Sequence, residues 1–113
     1  MAAVNKLQAA LPFPVEQALR HLGGNLRTAR LRRNLTIQDM ADKIGTGPRA
    51  VADAEKGKPS TGIAVYVAML WALGLLEPLA DVAAPARDDE GQALALAREP
   101  QRASQKSDLD NDF

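Results

Sequence analysis

Basic side chains cluster in the first half of the chain, where their spacing could serve phosphate binding. Positions 20 to 33 hold five arginines and no acidic residue, namely Arg20, Arg27, Arg30, Arg32 and Arg33. A basic stripe of this kind is the electrostatic footprint expected for a polyanionic partner. The alternative is a solvated helix face that binds nothing. Because the run directly precedes two short predicted helices joined by a turn, we favour phosphate contact.

The formal charge of the whole chain is zero, but its distribution is uneven. Residues 1–58 contain ten Lys and Arg against five Asp and Glu, which is a balance of +5. Residues 59–113 contain four against nine, which is a balance of −5. We therefore expect the two halves to face different partners.

Few residues could support catalysis. His21 is the only histidine and lies beside arginines in a predicted helix, and the chain has no cysteine. No Ser-His-Asp arrangement, glycine-rich phosphate loop or metal-ligand spacing occurs. We therefore expect no enzymatic activity, no cofactor and no metal site. Because the chain lacks an apolar run of about 18 residues and a signal-peptide pattern, we also expect a cytoplasmic protein without a membrane partner.

Residues 35–57 predict how the basic side chains are positioned, because their pattern fits two short helices set across a tight turn. Thr36 can cap the first helix, and Gly45 ends it. Pro48 then starts the second helix, which runs to about Lys56. This arrangement is a helix-turn-helix. The alternative is an ordinary helical hairpin that does not touch DNA.

Helices are also predicted on both sides of this motif. The preceding helix spans about residues 14–33, and its pair Gly23-Gly24 allows a bend or a break. A helix over residues 61–73 is apolar almost all round, and a short one follows at residues 77–82. One apolar stripe suffices for the core of the domain, so a second needs another surface to cover it. We predict that this second stripe is a subunit interface formed by Val65, Met69, Ala72 and Leu76.

The predicted fold is all-α, and the chain divides into three parts. Residues 1–13 form an N-terminal segment, residues 14–83 a helix-turn-helix domain for DNA binding and dimerisation, and residues 84–113 an acidic, largely disordered tail. From Pro100 onward the tail has too few apolar residues to fold alone. Leu109 and Phe113 lie among three aspartates and could anchor the tail in a basic groove of a partner. The alternative is an inert, solubilising tail.

Residues 26–57 resemble the Cro/C1-type (XRE) helix-turn-helix family of bacterial and phage regulators, and with the following helices the similarity covers about residues 22–83. The residues that carry it in combination are Arg30, Leu35, Thr36, Ala41, Gly45, Val51 and the run Glu55-Lys56-Gly57-Lys58. The resemblance implies a five-helix lambda-repressor-like fold with a flexible C-terminal tail, in which the second and third helices read DNA. It also implies a structural ion pair between Arg30 and Glu55, which would link the first and third helices.

The same resemblance assigns base reading to the start and middle of the third helix. These positions are Gly47, Pro48, Arg49, Ala50, Ala52 and Asp53. Arg49 is the one strong donor and could address guanine O6 and N7, while Ala50 or Ala52 could meet a thymine methyl group. Asp53 departs from the family pattern, and it could accept from a cytosine amino group or repel phosphate.

Direct readout is therefore expected to be sparse, and contacts to the DNA backbone should contribute much of the binding. The residues expected to position phosphate are Thr36, Gln38, Lys56 and Lys58, together with the arginines of the first helix. Sequence-dependent DNA shape should supply the remaining specificity.

A narrower resemblance, to the HipB-like antitoxins, rests on the segments WALGLL and PARDDEG. It implies a nucleoid-associated homodimer that binds operator DNA, represses and autoregulates its own operon, and acts as the antitoxin of a HipA-like kinase toxin. The alternative is a protein-interaction module, such as a kinase-binding antitoxin or scaffold, whose helix-turn-helix has weak or no DNA binding. The unusual Asp53 and the scarcity of donors motivate that alternative.

Overall fold

The structure, a computed structural model, describes residues 5–98. Over these residues the chain is helical and contains no strand, so the predicted all-α fold is confirmed. The α-helices are α1 (Lys6–Ala9), α2 (Phe13–Arg32), α3 (Ile37–Ile44), α4 (Pro48–Glu55), α5 (Ile63–Leu73) and α6 (residues 89–98), and two 3-10 helices span Glu77–Asp81 and Pro85–Arg87. The described residues form two compact units, which divide between Leu76 and Glu77.

Helix α2 is uninterrupted over its 20 residues, so the predicted weak point at Gly23 and Gly24 produces no break. Pro14 lies in the first turn, where its missing N–H leaves no hydrogen bond unmade. Glu16 in the first turn and Arg30 in the last turn have the charges that the helix dipole favours at those ends. The local sequence therefore sets both ends of α2 close to the predicted positions.

A capping box begins α3. The Thr36 hydroxyl oxygen accepts a hydrogen bond from the Asp39 N–H at 3.0 Å, and the Thr36 N–H donates to Asp39 Oδ2 at 2.9 Å. These bonds from Thr36 hold the pKa of Asp39 below its ordinary value. Gly45 ends the helix in the left-handed conformation with φ of 75°, and α4 starts three residues later at Pro48. The helix-turn-helix thus has the predicted boundaries.

The core of the first unit lies between α2, α3, α4 and α5. Its largest fully buried side chains are Leu26, Met40, Val51 and Met69. Ala41 and Ala54 are also fully buried, and their small side chains allow the helices to pack closely. Burial of these apolar groups is the main driving force for folding of this unit.

The buried and exposed faces of α5 differ from the predicted ones. Met69 is 0% exposed within the chain, so its predicted place in a subunit interface is wrong. Val65 and Ala72 are half-buried against the same core. The exposed side carries instead Ile63, which is 77% exposed, and Trp71, which is 63% exposed. Because α5 is apolar all round, spacing alone could not determine which stripe turns inward.

Two glycines bring α2 against the end of α4. A side chain on Gly23 would collide with the carbonyl oxygens of Ala54 and Glu55. A side chain on Gly57, which follows α4, would likewise collide with the backbone of α2 at residues 19 and 20. Gly57 also has a φ of 70°, which is in the left-handed region. The contact between these helices therefore depends on the absence of a side chain at both positions.

The second unit contains both 3-10 helices and α6. Gln92 Nε2 donates to the Pro85 carbonyl at 2.9 Å, and Asp88 Oδ1 accepts from the Gly91 N–H at 2.9 Å near the start of α6. Residues 99–113, which include the predicted tail anchors Leu109 and Phe113, lie outside the described residues. No helix among residues 5–98 is long and apolar enough to cross a membrane.

Candidate nucleic-acid interface

A buried ion pair fixes the position of α4. Arg30 Nε donates to Glu55 Oε2 at 2.6 Å and Arg30 Nη2 donates to Glu55 Oε1 at 2.9 Å, while Arg30 Nη1 donates to the Leu35 carbonyl at 2.8 Å. The side chains of Arg30 and Glu55 are 6% and 5% exposed. The hydrogen bonds to Glu55 raise the pKa of Arg30, so this guanidinium stays charged. The pair ties together the ends of α2 and α4, and the bond from Arg30 to Leu35 adds the end of the α2–α3 loop.

The arginines of residues 20–33 therefore do not form one phosphate-facing stripe. Arg30 is buried, and Arg33 Nη1 donates to the Ala29 carbonyl at 2.8 Å. Arg20 pairs with Glu16 at 2.9 Å on an exposed part of α2. Arg30 is therefore not one of the phosphate-facing arginines; it makes the ion pair with Glu55 that the family resemblance implied, because the helical twist and the position of Glu55 turn its side chain into the core.

The polar residues of α3 lie on its exposed side. Thr36 is exposed at the start of the helix, where its hydroxyl accepts the capping bond and keeps its own proton available to donate. Gln38 is also exposed, but its Nε2 donates to Asp42 Oδ1 at 2.8 Å. A phosphate contact from Gln38 would therefore have to replace this bond.

Helix α4 presents the predicted base-reading positions at its exposed beginning. Gly47, Pro48 and Arg49 are exposed, and Ala50 and Ala52 are half-buried. The Arg49 side chain is 87% exposed, so its guanidinium can reach a ligand in front of the helix. The start of α4 therefore offers one strong hydrogen-bond donor between small residues.

Asp53 pairs with two cationic side chains, those of Lys58 and Arg49, and neither pair was predicted from the sequence. Its Oδ1 lies 3.2 Å from Lys58 Nζ, and its Oδ2 lies 4.0 Å from Arg49 Nε. Only 22% of the Asp53 side chain is exposed. The spacing of Arg49 and Asp53 could have suggested that these two residues pair, because residues four apart on one helix are neighbours. Lys58 follows the helix, so only the loop conformation brings it to Asp53.

The loop after α4 is anchored from α5. The hydroxyl of Tyr66 donates to the Lys58 carbonyl at 3.1 Å, and the Lys58 N–H donates to the Asp53 carbonyl at 3.1 Å. Burial raises the pKa of Tyr66, whose hydroxyl therefore remains protonated near neutral pH. This role of Tyr66 was not predicted from the sequence, although a single phenol in an otherwise apolar helix is a signal for a buried hydrogen bond. The anchor holds Lys58 beside Asp53, while Lys56 stays exposed.

The residues of the candidate interface thus form two groups in the part of the chain that the structure describes. Arg49, Asp53 and Lys58 are in contact at one side of α4, whereas Thr36 and Gln38 belong to the exposed side of α3. Within residues 5–98 no cluster of three or more His, Cys, Asp or Glu residues could hold a metal ion. The exposed hydrogen-bond donors of this arrangement suit an anionic ligand that carries hydrogen-bond acceptors.

Comparison with known proteins adds one match. A family model described as a helix-turn-helix domain matches residues 21–83, which is more than half of the chain. The matched region begins in α2, includes α3, α4 and α5, and reaches past the first 3-10 helix. No curated protein and no solved structure gives a significant match.

Proposed function

Because the chain belongs to the helix-turn-helix domain family, whose members are typically DNA-binding regulators, we propose that it is a dimeric, operator-binding transcriptional repressor. We further propose that it is the antitoxin of a HipA-like kinase. The observation that carries the DNA-binding part is the exposure of Arg49 at the start of α4. The buried pair of Arg30 and Glu55 supports it, because it holds that helix in a fixed orientation. A rigid support is what a base-reading side chain requires.

In the proposed complex α4 enters the major groove. Arg49 donates to O6 and N7 of a guanine, and Ala50 or Ala52 contacts a thymine methyl group. Thr36, Lys56 and Lys58 bind phosphates on either side of the groove and set the register of the protein on the duplex. Binding then combines a small amount of direct base readout with backbone contacts and DNA shape.

A gel-shift experiment with the DNA upstream of the protein's own gene tests this proposal. We expect retardation that survives an excess of unrelated duplex and that weakens as the salt concentration rises, because counterions compete for the phosphates. Retardation that unrelated duplex abolishes would contradict sequence-specific binding.

The proposal of a homodimer is supported by the exposed apolar side of α5. Ile63 and Trp71 lie on this side, and Leu75 just beyond the helix is 41% exposed. Large apolar side chains exposed along one helix are typical of a protein interface. Two copies joined through it would present two α4 helices to half-sites about one helical turn apart on the DNA.

The antitoxin part of the proposal is supported by the sequence segments WALGLL and PARDDEG, which resemble those of HipB-like regulators. In this proposal a HipA-like kinase binds the acidic C-terminal residues, with Leu109 and Phe113 as apolar anchors. Co-purification of a co-expressed HipA-like kinase with the full chain, compared with a variant lacking residues 108–113, tests this part. Equal recovery of the kinase with both forms would contradict a role for the tail.

A second candidate is a protein-interaction module that has lost DNA binding. The observation that favours it is the position of Asp53, whose carboxylate lies 4.0 Å from the one strong donor of α4. If this carboxylate stays paired with Arg49, α4 has no other strong hydrogen-bond donor with which to contact a base. Absence of any retardation at low salt, where phosphate binding is strongest, would favour this candidate over the repressor.

A further inference from the structure

Asp53 bridges two of the basic residues assigned to the DNA interface. One carboxylate oxygen faces Lys58 Nζ at 3.2 Å and the other faces Arg49 Nε at 4.0 Å. The carboxylate is largely shielded by its surroundings, since only 22% of the side chain is exposed, whereas Arg49 is 87% exposed. The loop that carries Lys58 is itself held by the Tyr66 hydroxyl. The three charged groups therefore form a small supported cluster rather than independent surface charges.

The geometry divides the donors of Arg49 into two sets. Its Nε is the atom nearest to Asp53, at 4.0 Å from Oδ2, so neither terminal nitrogen is bound to the carboxylate. Those terminal nitrogens are sufficient for two parallel hydrogen bonds to guanine O6 and N7. A carboxylate behind the guanidinium also reduces the number of side-chain conformations that must be given up on binding.

The same carboxylate limits indiscriminate binding. A phosphate that binds Lys58 must compete with Asp53 at 3.2 Å, and the negative charge of Asp53 repels phosphate in any sequence. A guanine at the correct position meets no such competition, because it uses the terminal nitrogens of Arg49 and leaves Nε to Asp53. When the DNA excludes water, the pair between Arg49 and Asp53 strengthens as the local dielectric constant falls.

We propose that Asp53 is a specificity-determining positioning residue, which orients Arg49 toward a guanine and suppresses non-specific phosphate binding by Arg49 and Lys58. This inference rests on the proposed DNA binding and deepens it. It assigns Asp53 neither a base contact nor a purely repulsive role.

The test compares two duplexes of equal length, one selected by the wild-type protein from a randomised pool and one of unrelated sequence. Dissociation constants are measured over a range of salt concentrations for the wild type, Asp53→Asn and Asp53→Glu, and thermal melting checks that each variant is folded. We expect Asp53→Asn to bind the unrelated duplex about fivefold more tightly, which is the scale of one exposed ion pair. Its salt slope on that duplex should be steeper by about one to two, because one or two cations become free to bind phosphate.

Although Asp53→Asn should bind the unrelated duplex more tightly, it should discriminate less well between the two duplexes. The ratio of selected to unrelated affinity falls in Asp53→Asn and is retained in Asp53→Glu, which keeps the charge. Replacing the guanine that Arg49 reads should weaken binding of the wild type more than binding of Asp53→Asn. A folded Asp53→Asn protein with the wild-type ratio and salt slope would overturn the inference while leaving the proposed function intact. A wild-type protein that selects no duplex at all would overturn both.

Discussion

Arg30 and Arg49 have the same side chain, but their surroundings give them opposite properties. Arg30 is 5% exposed and makes three hydrogen bonds to Glu55 and Leu35, which leaves no accessible donor for a ligand. The side chain of Arg49 is 87% exposed, and the carboxylate of Asp53 lies 4.0 Å from its Nε, at the limit of an ion pair. At the residue scale, therefore, burial separates the arginine that stabilises the domain from the arginine available for recognition.

The exposure of Arg49 predicts a localised loss of recognition in Arg49→Ala. We expect this change to cost about 1 to 3 kcal/mol against the operator and to remove the preference at one base position, because a bidentate contact to guanine is lost. Arg87→Ala is the matched control, since Arg87 is also an exposed arginine with an aspartate neighbour, Asp81 at 3.8 Å, but lies in the second unit and outside the helix-turn-helix. Binding measured by fluorescence anisotropy checks both variants, and unchanged operator affinity in Arg49→Ala would count against the docking of α4.

The burial of the ion pair predicts a large effect on stability in Glu55→Gln. This variant keeps the volume of the side chain but leaves the Arg30 charge buried without a counter-charge, which should cost about 3 kcal/mol. Glu16→Gln is the matched control, because the Glu16 and Arg20 side chains are 42% and 71% exposed. For this exposed pair we expect a change of no more than about 0.5 kcal/mol. Urea unfolding measures both values, and equal values would show that burial does not govern the strength of these pairs.

The orientation of α4 depends on how closely α2 packs against its end. Gly23 of α2 lies against the backbone at the end of α4, and Gly57, which follows α4, lies against the backbone of α2. The ion pair between Arg30 and Glu55 lies at the same junction and adds a directional restraint. At the element scale, α4 is therefore held by two steric contacts and one buried electrostatic contact.

The neighbouring glycines of α2 provide a direct test of this packing. Gly23→Ala should destabilise the protein by about 1 to 3 kcal/mol, because the added carbon collides with the carbonyl oxygens of Ala54 and Glu55. Gly24→Ala should stabilise it by roughly 1 kcal/mol, since nothing lies within 4 Å of the added carbon and alanine favours the helix. Thermal and urea unfolding of the two variants should therefore shift in opposite directions. A stabilised Gly23→Ala protein would mean that α2 and α4 are farther apart than described.

The first unit as a whole presents two surfaces with different chemistry. The start of α4 carries the exposed Arg49, and the outer side of α5 carries the apolar residues Ile63 and Trp71. The first of these surfaces suits DNA, and the second suits a protein. At the scale of the whole molecule, the proposed dimer uses the apolar surface to join two DNA-reading surfaces, whose linked binding raises the affinity for a two-part operator.

The position of Trp71 predicts that Trp71→Glu disrupts the dimer. A buried charge in an apolar interface is costly, so the variant should sediment as a monomer at concentrations where the wild type is a dimer. Its operator affinity should fall by at least about tenfold, because the two half-sites are no longer linked. Phe13→Glu is the matched control, since Phe13 is an aromatic residue that is 66% exposed but lies at the start of α2. A dimeric Trp71→Glu protein would place the subunit interface elsewhere.

Local sequence features predicted most of the elements. Thr36 and Asp39 form a capping box, Gly45 ends α3, and Pro48 begins α4, and each of these roles follows from the conformations that the residue itself allows. The helix-turn-helix and the all-α fold could therefore be predicted before any tertiary contact was known. The close proximity of Arg30 and Glu55 followed only from the family resemblance, because the two residues are 25 positions apart.

Only the tertiary structure decided the direction of side chains whose local pattern was ambiguous. Met69 belongs to the core rather than to an interface, because α5 is apolar on every side and its neighbours select the buried face. Asp53 meets Lys58 because the Tyr66 hydroxyl holds the loop after α4, and no spacing in the sequence encodes that contact. The sequence by itself thus determined the helices and the turn between them, since these depend on local backbone preferences. Packing between helices that are distant in the chain decided the exposure of Arg49, the surroundings of Asp53 and the outer face of α5.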